Sequence, residues 1–402
     1  MMSTASLPGY LRQDGRKGIR NVILVAYLVE CAHHASKAIA SHFPDEEVEV
    51  IGFPGCYPNS YAHQMLTALC THPNVGGVLL VSLGCESFDR ESLSESIRAS
   101  GRWSETIVIQ GVGGSTPTVT LGIEAVERGL AQAKKAPRTE VLLSDLVVGA
   151  ECGGSDGTSG ITANPAVGYA FDRLVEQGAT CIFEEPGELL GTESHMAGRA
   201  GSPELGRELI GTVEKASDYY HQMGHGSFSP GNYEGGLTTI EEKSIGAYAK
   251  SGSSPIVGLL KPAVQPTTPG LYLMDPVPDG EIRWGFPNIN DTATVVEMIA
   301  CGAQIILFTT GRGSVVGSAI SPVIKVCANP DTFARMPGDM DVNAGSILSA
   351  DATIASVGDE IVDLVARVAA GEQTKSEAMG HREFTLGYKS FEPLGPSCLP
   401  AA

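Results

Sequence analysis

One stretch, Glu151-Cys152-Gly153-Gly154-Ser155-Asp156-Gly157 through Asn164-Pro165, brings a carboxylate, a thiol and a hydroxyl together among closely spaced glycines. The apolar run before it, Val141 to Ala150, reads as a buried strand. Val167, Phe171, Leu174 and Val175 follow at helical spacing until Gly178. With Asn164 as cap and Pro165 in its first turn, that helix aims its positive end, and the backbone amides of the glycine loop, at an anion. The alternative is a tight turn that binds nothing. Gly153 to Gly157 also fits the G-x-S-x-G elbow of serine hydrolases. An elbow starts its helix at the nucleophile, however, and here the helix begins about ten residues later.

Other groups capable of chemistry lie downstream. Glu184 and Glu185 follow the β-like Thr180 to Phe183 and can bind a metal or take a proton, and His195, behind Glu193, can be a ligand or a base. The segment Ser229 to Lys243 carries Asn232, Thr238 and Thr239. Thr239 and Glu242 have capping-box spacing, which puts Lys243 in the first turn of a helix, the wrong end for a cation. If buried, such a lysine can act as base or carboxylate anchor. Gly311-Arg312-Gly313 follows a strand like a dinucleotide loop, but Pro322 and the β-like Val323 to Cys327 leave no room for the required helix. The glycines and Arg312 suit a carboxylate clamp better.

Three cysteines, Cys56, Cys85 and Cys152, each sit in a glycine-bearing loop after a β-like run. Brought together at the carboxyl ends of parallel strands, three thiolates suit iron or zinc with an open coordination position. Separate buried cysteines are the plain alternative.

The elements that must position these groups alternate. β-like runs at Val22 to Leu28, Val48 to Phe53, Val75 to Leu83 and Thr106 to Val112 are separated by helix-like segments at Cys31 to His42, Ser60 to Thr71 and Asp89 to Ser100, with Pro117 to Lys134 after the last. That alternation predicts an α/β fold of mostly parallel sheets flanked by helices. A length of 402 residues suggests more than one domain, and the charged, proline-bearing Lys134 to Thr139 is the candidate linker. The expected division is an N-terminal α/β domain over 1–136 and a C-terminal α/β catalytic domain over 137–402. In the second, Pro203 to His221, Thr292 to Cys301 capped by Asp291, and Glu360 to Ala370 read as helices. Past Gly371 a polar tail is expected to wrap the surface.

Composition narrows the function. A formal charge of −19 argues against nucleic acid or an anionic membrane as partner, since both attract basic surfaces. Arg16, in the basic window Tyr10 to Asn21, is an exception that can meet a substrate carboxylate. Nine scattered cysteines without C-x-x-C spacing do not make a secreted disulfide framework. With no signal-peptide pattern and no long apolar run, a cytoplasmic protein is expected.

Taken in order, Gly9-Tyr10-Leu11-Arg12 with Asp14-Gly15-Arg16 and Arg20-Asn21, Leu83-Gly84-Cys85-Glu86, Cys152 to Asp156 through Asn164-Pro165, Pro230-Gly231-Asn232 with Gly235 to Thr239 and Lys243-Ser244, and Phe308 to Gly313 resemble the altronate/galactarate dehydratase family. The large subunit of sulfolactate sulfo-lyase belongs to the same group. The resemblance spans nearly the whole chain and implies a lyase. It would remove water, or sulfite in the sulfo-lyase branch, from a 2-hydroxy carboxylate to leave a 2-keto product. It also implies a divalent metal, usually Fe2+, with Mn2+ as an alternative and an iron–sulfur cluster left open.

On this reading Cys56, Cys85 and Cys152 are the metal candidates and Lys243, His195 and Glu185 the catalytic ones. Arg16, Gly153, Gly154, Ser155, Asp156, Asn232, Thr238, Thr239 and Arg312 are the candidates for substrate binding. Many family members begin with a small SAF-type domain, and here nine residues precede Tyr10. A separate small SAF-type subunit is therefore expected, within a homo- or hetero-oligomer. Two departures bear on the substrate. Phe53-Pro54 stands where the sugar-acid enzymes are expected to carry a histidine, whereas Cys85 is expected to be missing from the sulfo-lyase branch, which places the chain nearer the sugar-acid side. A non-catalytic homologue that binds a sugar acid is the remaining alternative.

Overall fold

The structure is a computed structural model of the chain and describes residues 7–224, 226–280, 290–387 and 389. The chain divides into two units, one formed mainly by residues 9–139 and the other by residues 140–383.

A short ribbon opens the chain: Leu7–Leu11 (β1) pairs antiparallel with Lys17–Gly18 (β2), and Arg138–Val141 (β7) lies on the other side of β1. In the 9–139 unit, Val22–Tyr27 (β3), Val48–Gly52 (β4), Val75–Ser82 (β5) and Trp103–Val108 (β6) make a parallel sheet of order β4-β3-β5-β6. β5 is buried along its whole length, as a central strand covered on both faces must be. Ile23, Val25, Leu79 and Val81 point to a core shared with His33–Ala40 (α1) and Ser115–Ala133 (α5), while Ser60–Cys70 (α2) and Arg90–Ala99 (α3) pack together elsewhere on the sheet. The apolar run Thr106 to Val112 does not stay extended. After Val108 the chain makes a single helical turn, Ile109–Val112 (α4), which Gly113 ends at φ 94°.

The 140–383 unit holds a seven-stranded, all-parallel sheet. Its strands are Val147–Cys152 (β8), Thr180–Phe183 (β9), Ile256–Leu260 (β10), Gly270–Met274 (β11), Ile305–Thr310 (β12), Val323–Cys327 (β13) and Val342–Asn343 (β14), in the order β10-β11-β9-β8-β12-β13-β14. The chain starts in the middle at β8, builds outward on one side with β9 to β11, then on the other with β12 to β14. β8 and β12 therefore flank the point where the winding reverses, the place where parallel sheets open a crevice at their carboxyl ends.

The helices of this unit are Ala163–Glu176 (α6), Glu193–Gly198 (α7), Pro203–Met223 (α8), Pro230–Glu234 (α9), Ile240–Tyr248 (α10), Asp291–Ala300 (α11), Pro330–Arg335 (α12), Ile354–Ala369 (α13) and Lys375–Met379 (α14). Among the described residues, no helix is long and apolar enough to cross a membrane. Side chains such as Phe171, Phe183 and Phe308 are fully enclosed, each worth about 1.5–3 kcal/mol of burial.

Three local expectations are corrected. Val141 to Ala150 is not one strand, because Asp145 accepts a hydrogen bond from the Leu142 amide (2.7 Å) and closes a turn between β7 and β8. Asn164 does not cap α6. It lies inside the first turn, Thr162 precedes the helix, and the Asn164 side chain instead donates to Gly246 O at 2.9 Å. Asn290, rather than Asp291, caps α11 through the Ala293 amide at 3.0 Å, which leaves Asp291 in the first turn.

Close backbone contacts fix the helices around the sheet. A Cβ on Gly168 of α6 would overlap the Ala249 carbonyl, whereas one on Gly211 of α8 would meet nothing within 4 Å. Overpacking against backbone costs about 1–3 kcal/mol, more than the roughly 0.5–1 kcal/mol gained by replacing a helical glycine with alanine. Gly168→Ala is therefore expected to lower the urea midpoint and Gly211→Ala to hold or raise it. Equal behaviour of the two would contradict the packing described.

Candidate active site

The chain leaves β8 at Glu151 and Cys152 and leaves β9 at Glu184, so adjacent parallel strands deliver three side chains to one edge of the sheet. After Glu184 the chain turns sharply. Glu185 adopts φ 72° and ψ 53°, a left-handed conformation that a residue with a Cβ rarely takes and that costs energy unless its surroundings hold it. The turn swings Glu185 and Glu188 back toward Cys152. The Cys152 amide donates to Glu185 (3.2 Å), and the Cys152 thiol donates to Glu188 (3.3 Å). From the other side, the first turn of α11 brings Asp291, while Thr294 donates to Glu151 at 3.0 Å. Gly153 admits this approach, since a Cβ there would strike the Asp291 carboxylate.

Five carboxyls, Glu151, Glu184, Glu185, Glu188 and Asp291, thus line one cavity. Two ammonium groups answer them: Lys243 contacts Glu188 and also donates to Ser227 O (2.9 Å), and Lys250 contacts Glu185. Lys250 is fully buried. Two positive charges do not balance five carboxyls, and burial makes the excess costly unless protons or a cation relieve it.

The titration behaviour reflects that shortage. Burial, followed by repulsion from Glu184, pushes the Glu151 carboxyl well above the ordinary carboxylate range. Burial also lifts Glu184 to about 8, although Glu151 and Lys250 pull it back. Neither oxygen of Glu184 meets a fixed hydrogen-bond donor. Asp291 is raised by burial and then by Glu188, and burial followed by Glu188 pushes the Cys152 thiol up to about 11. For Lys243 burial works against the charge, but Glu188 and Cys152 outweigh it and the pKa rises, so the group stays cationic at neutral pH. Of the two roles open to a buried Lys243, this environment favours the anchor over the base.

Two overlapping donor sets suit a metal ion, each with its ligand atoms within 4.8 Å of one another: Cys152, Glu185 and Glu188, and Glu151, Glu184 and Glu185. Carboxylate oxygens with a single sulfur are the donors of a mononuclear divalent cation such as Fe2+ or Mn2+. An orphaned, buried Glu184 beside Glu151 is what a cation would relieve.

The residues singled out in the sequence have different placements. Cys152, Glu185 and Lys243 meet in the acid cluster. Cys56 and Cys85 are exposed in the 9–139 unit, in neighbouring loops joined by the Ser87 amide to Cys56 O (2.9 Å). Arg16 in the same unit pairs with Asp14 and donates to Thr71 O at 2.6 Å. His195 is exposed on α7 and lines a separate cavity with Arg199 and Tyr248. In that short helix the neighbouring Met196 takes the buried position, so His195 faces outward.

The glycine loop is braced rather than open. The Gly153 amide donates to Thr309 O (3.0 Å) and the Gly157 amide to Gly235 O (2.9 Å), while Gly154 O accepts from the Arg312 amide (2.8 Å). Asp156 accepts from Thr158 and Asn329, and Ser155 donates to the Cys152 sulfur at 3.7 Å. Asn232 donates to Ser155 O (3.1 Å), Thr238 binds Glu242, and Thr239 caps α10. Arg312 reaches Gly231 O at 2.5 Å and Glu234 at 2.9 Å.

Lys250, Glu188 and Asp291 were not among the sequence candidates for the site, and Glu151 was read only as the carboxylate that opens the glycine loop. Lys250 had a readable signal, because it follows Lys243 by seven residues, two helical turns, and so shares its face.

Known protein families match most of the chain. Residues 143–391 match the family model described as D-galactarate/altronate dehydratase, C-terminal, and residues 9–134 match D-galactarate dehydratase/altronate hydrolase, second domain. The chain is 32% identical to the (2R)-sulfolactate sulfo-lyase subunit beta of Chromohalobacter salexigens over 94% of its own length and 96% of that protein. It is 30% identical to altronate dehydratase of Bacillus subtilis over 94% of its length and 76% of that protein. It is 36% identical to galactarate dehydratase (L-threo-forming) of Escherichia coli over 75% of its length and 58% of that protein. The chain belongs to the D-galactarate/altronate dehydratase family. The named relatives are dehydratases and a sulfo-lyase, which supports a lyase for this chain.

The elevated Glu184 has a consequence for stability. A carboxyl raised from 4.5 to about 8 on folding binds more protons in the native state across that window, so stability falls as pH rises through it. With metal removed by a chelator, Glu184→Gln is expected to match the parent near pH 5 and to exceed it near pH 8 in urea unfolding. An unchanged pH slope in the variant would contradict the assignment.

Proposed function

We propose that the chain is a metal-dependent hydro-lyase that removes water from a sugar acid or a related 2-hydroxy carboxylate and leaves a 2-keto-3-deoxy acid. The observation that carries this reading is the buried cluster of five carboxyls around Cys152, underbalanced by Lys243 and Lys250. The proton on a carbon next to a carboxylate is weakly acidic, so its removal needs a base and a means of stabilising the enediolate that forms. A divalent cation, which Cys152, Glu185 and Glu188 would hold, would supply that stabilisation. The oxygen-rich donors favour Fe2+ or Mn2+ over an iron–sulfur cluster, which calls for several thiolates.

The protein's own groups move the protons. Glu184, with its pKa near neutrality, and Glu151 beside it can hold one proton between them. One carboxylate takes the proton from the carbon bearing the 2-hydroxyl, and the paired carboxylic acid returns a proton to the departing 3-hydroxyl. The C–H and C–O bonds break, the C2–C3 double bond forms, water leaves and the enol tautomerises. Lys250 and Lys243 pair with Glu185 and Glu188 beside them.

A second reading, loss of sulfite from sulfolactate, is favoured by the match along 96% of the sulfo-lyase subunit. Because that relative is named as a subunit, we infer for this chain a large-subunit role with a small SAF-type partner in a cytoplasmic oligomer.

Protein purified without oxygen, with any small partner that accompanies it, should contain a divalent metal and should form keto acid from a member of a panel of aldonates, aldarates and sulfolactate. Glu184→Gln is expected to lower kcat by about 10^2–10^4 while metal content is retained. Bound metal without turnover on any acid would overturn the substrate class, and absence of metal would overturn the mechanism. Sulfite release from sulfolactate alone would select the second reading.

A further inference from the structure

Another cavity, of about 210 Å3, lies between the glycine loop and α10. Gly160 and Gly246 bring the loop and the helix together, since a Cβ on either would overlap the Cα of the other. Asn164 and Leu237 line the cavity, and so do Ser155 and Lys243. The last two tie it to the acid cluster: Ser155 donates to the Cys152 sulfur at 3.7 Å, and Lys243 contacts Glu188. Ile161 and Ile245 also line it and are exposed, which marks its mouth.

Asn164 is 2% exposed, and its side chain is only half satisfied. Nδ2 donates to Gly246 O at 2.9 Å, whereas the buried Oδ1 meets no donor among the described residues. A buried acceptor left open is costly, so its presence beside a cavity points to a donor that arrives from outside the chain. Donors on the wall are engaged within the protein: the Gly157 amide with Gly235 O (2.9 Å) and the Ser159 hydroxyl with Asp156 (3.3 Å). Such a wall suits hydroxyl groups, which donate, better than a second anion, which needs donors. The cavity also far exceeds the roughly 10–15 Å3 that admits a single water, so a short carbon chain fits.

We propose that this cavity holds the hydroxylated, uncharged tail of the substrate, with Asn164 Oδ1 accepting from one of its hydroxyls while the carboxylate end lies at the acid cluster. The proposal rests on the hydroxy-acid reading above and narrows it. The substrate is a polyhydroxy acid longer than three carbons, and Asn164 is a residue that selects it. Sulfolactate, with three carbons and a charged group at each end, has no such tail.

The experiment uses the metal-loaded full chain with any accompanying partner, carrying Glu184→Gln so that bound acids are not consumed, and measures binding by calorimetry. The probes are six-carbon aldonates, altronate among them, the three-carbon glycerate, and sulfolactate. The best aldonate is expected to bind about tenfold or more tightly than glycerate, the worth of one good hydrogen bond. Adding Asn164→Leu should weaken that aldonate about tenfold and leave glycerate within about twofold. A variant that merely disturbs the fold would weaken both acids alike.

If Asn164→Leu does not fold, Ile245→Trp narrows the mouth from an exposed position and is judged by the same readouts. Equal affinity for aldonate and glycerate, tighter binding of sulfolactate than of any aldonate, or an aldonate affinity that the variant leaves unmoved or lowers no more than that of glycerate would each overturn the proposal. Selective loss of aldonate affinity, in a chain whose Glu184 form turns over none of the acids, would uphold the cavity and fail the hydro-lyase reading. Binding of none of the acids would overturn both.

Discussion

Five carboxyls, buried or half-buried, gather where β8 and β9 end and α11 begins, and among the described residues Lys243 and Lys250 are the ammonium groups that contact them. Buried charge of one sign is among the most expensive things a protein can make, so it persists only where its relief is part of the function. Here relief comes in two forms. The lysines pair with Glu185 and Glu188, whereas burial pushes Glu151 and Glu184 above the ordinary carboxylate range, Glu184 to about 8. The same cluster thus sets lysine-paired carboxyls beside carboxyls whose burial favours the protonated form, a combination that suits the proposed elimination.

The positioning is mostly done by backbone. Parallel pairing of β8 with β9 sets Cys152 beside the Glu184 turn, the left-handed Glu185 redirects the chain inward, and Gly153 lets α11 bring Asp291 close. The glycine loop after Cys152 spends its Gly153 and Gly157 amides on Thr309 and Gly235 and serves as a brace between β12 and α9. Its Ser155 hydroxyl donates to the Cys152 sulfur, which does not fit the role of a nucleophile.

Much of this was legible in advance. Thr180 to Phe183 and Val323 to Cys327 are strands within the bounds read from their apolar runs, and Thr239 caps the helix that carries Lys243 as its spacing with Glu242 implies. Local chemistry misled where tertiary contacts compete with it. Asn164 had the right type for a cap but is drawn to Gly246, and Asn290 captures the cap expected of Asp291. The acid cluster was only partly visible: Glu151 and Glu184 stood out at the ends of their strands, but Glu188 and Asp291 look like ordinary polar residues until the sheet order β9-β8-β12 joins these distant loops. Membership of the family, in contrast, was readable from motif order alone, since it depends on many short segments at once.

If the cluster holds a metal, its buried carboxyls must exchange protons for the cation. Calorimetric titration of metal-free chain with Mn2+ in two buffers of different ionisation enthalpy measures both binding and proton release. Binding should release protons near pH 7, and Glu184→Gln should diminish that release. Binding without proton release, or release unaltered in Glu184→Gln, would contradict the central claim.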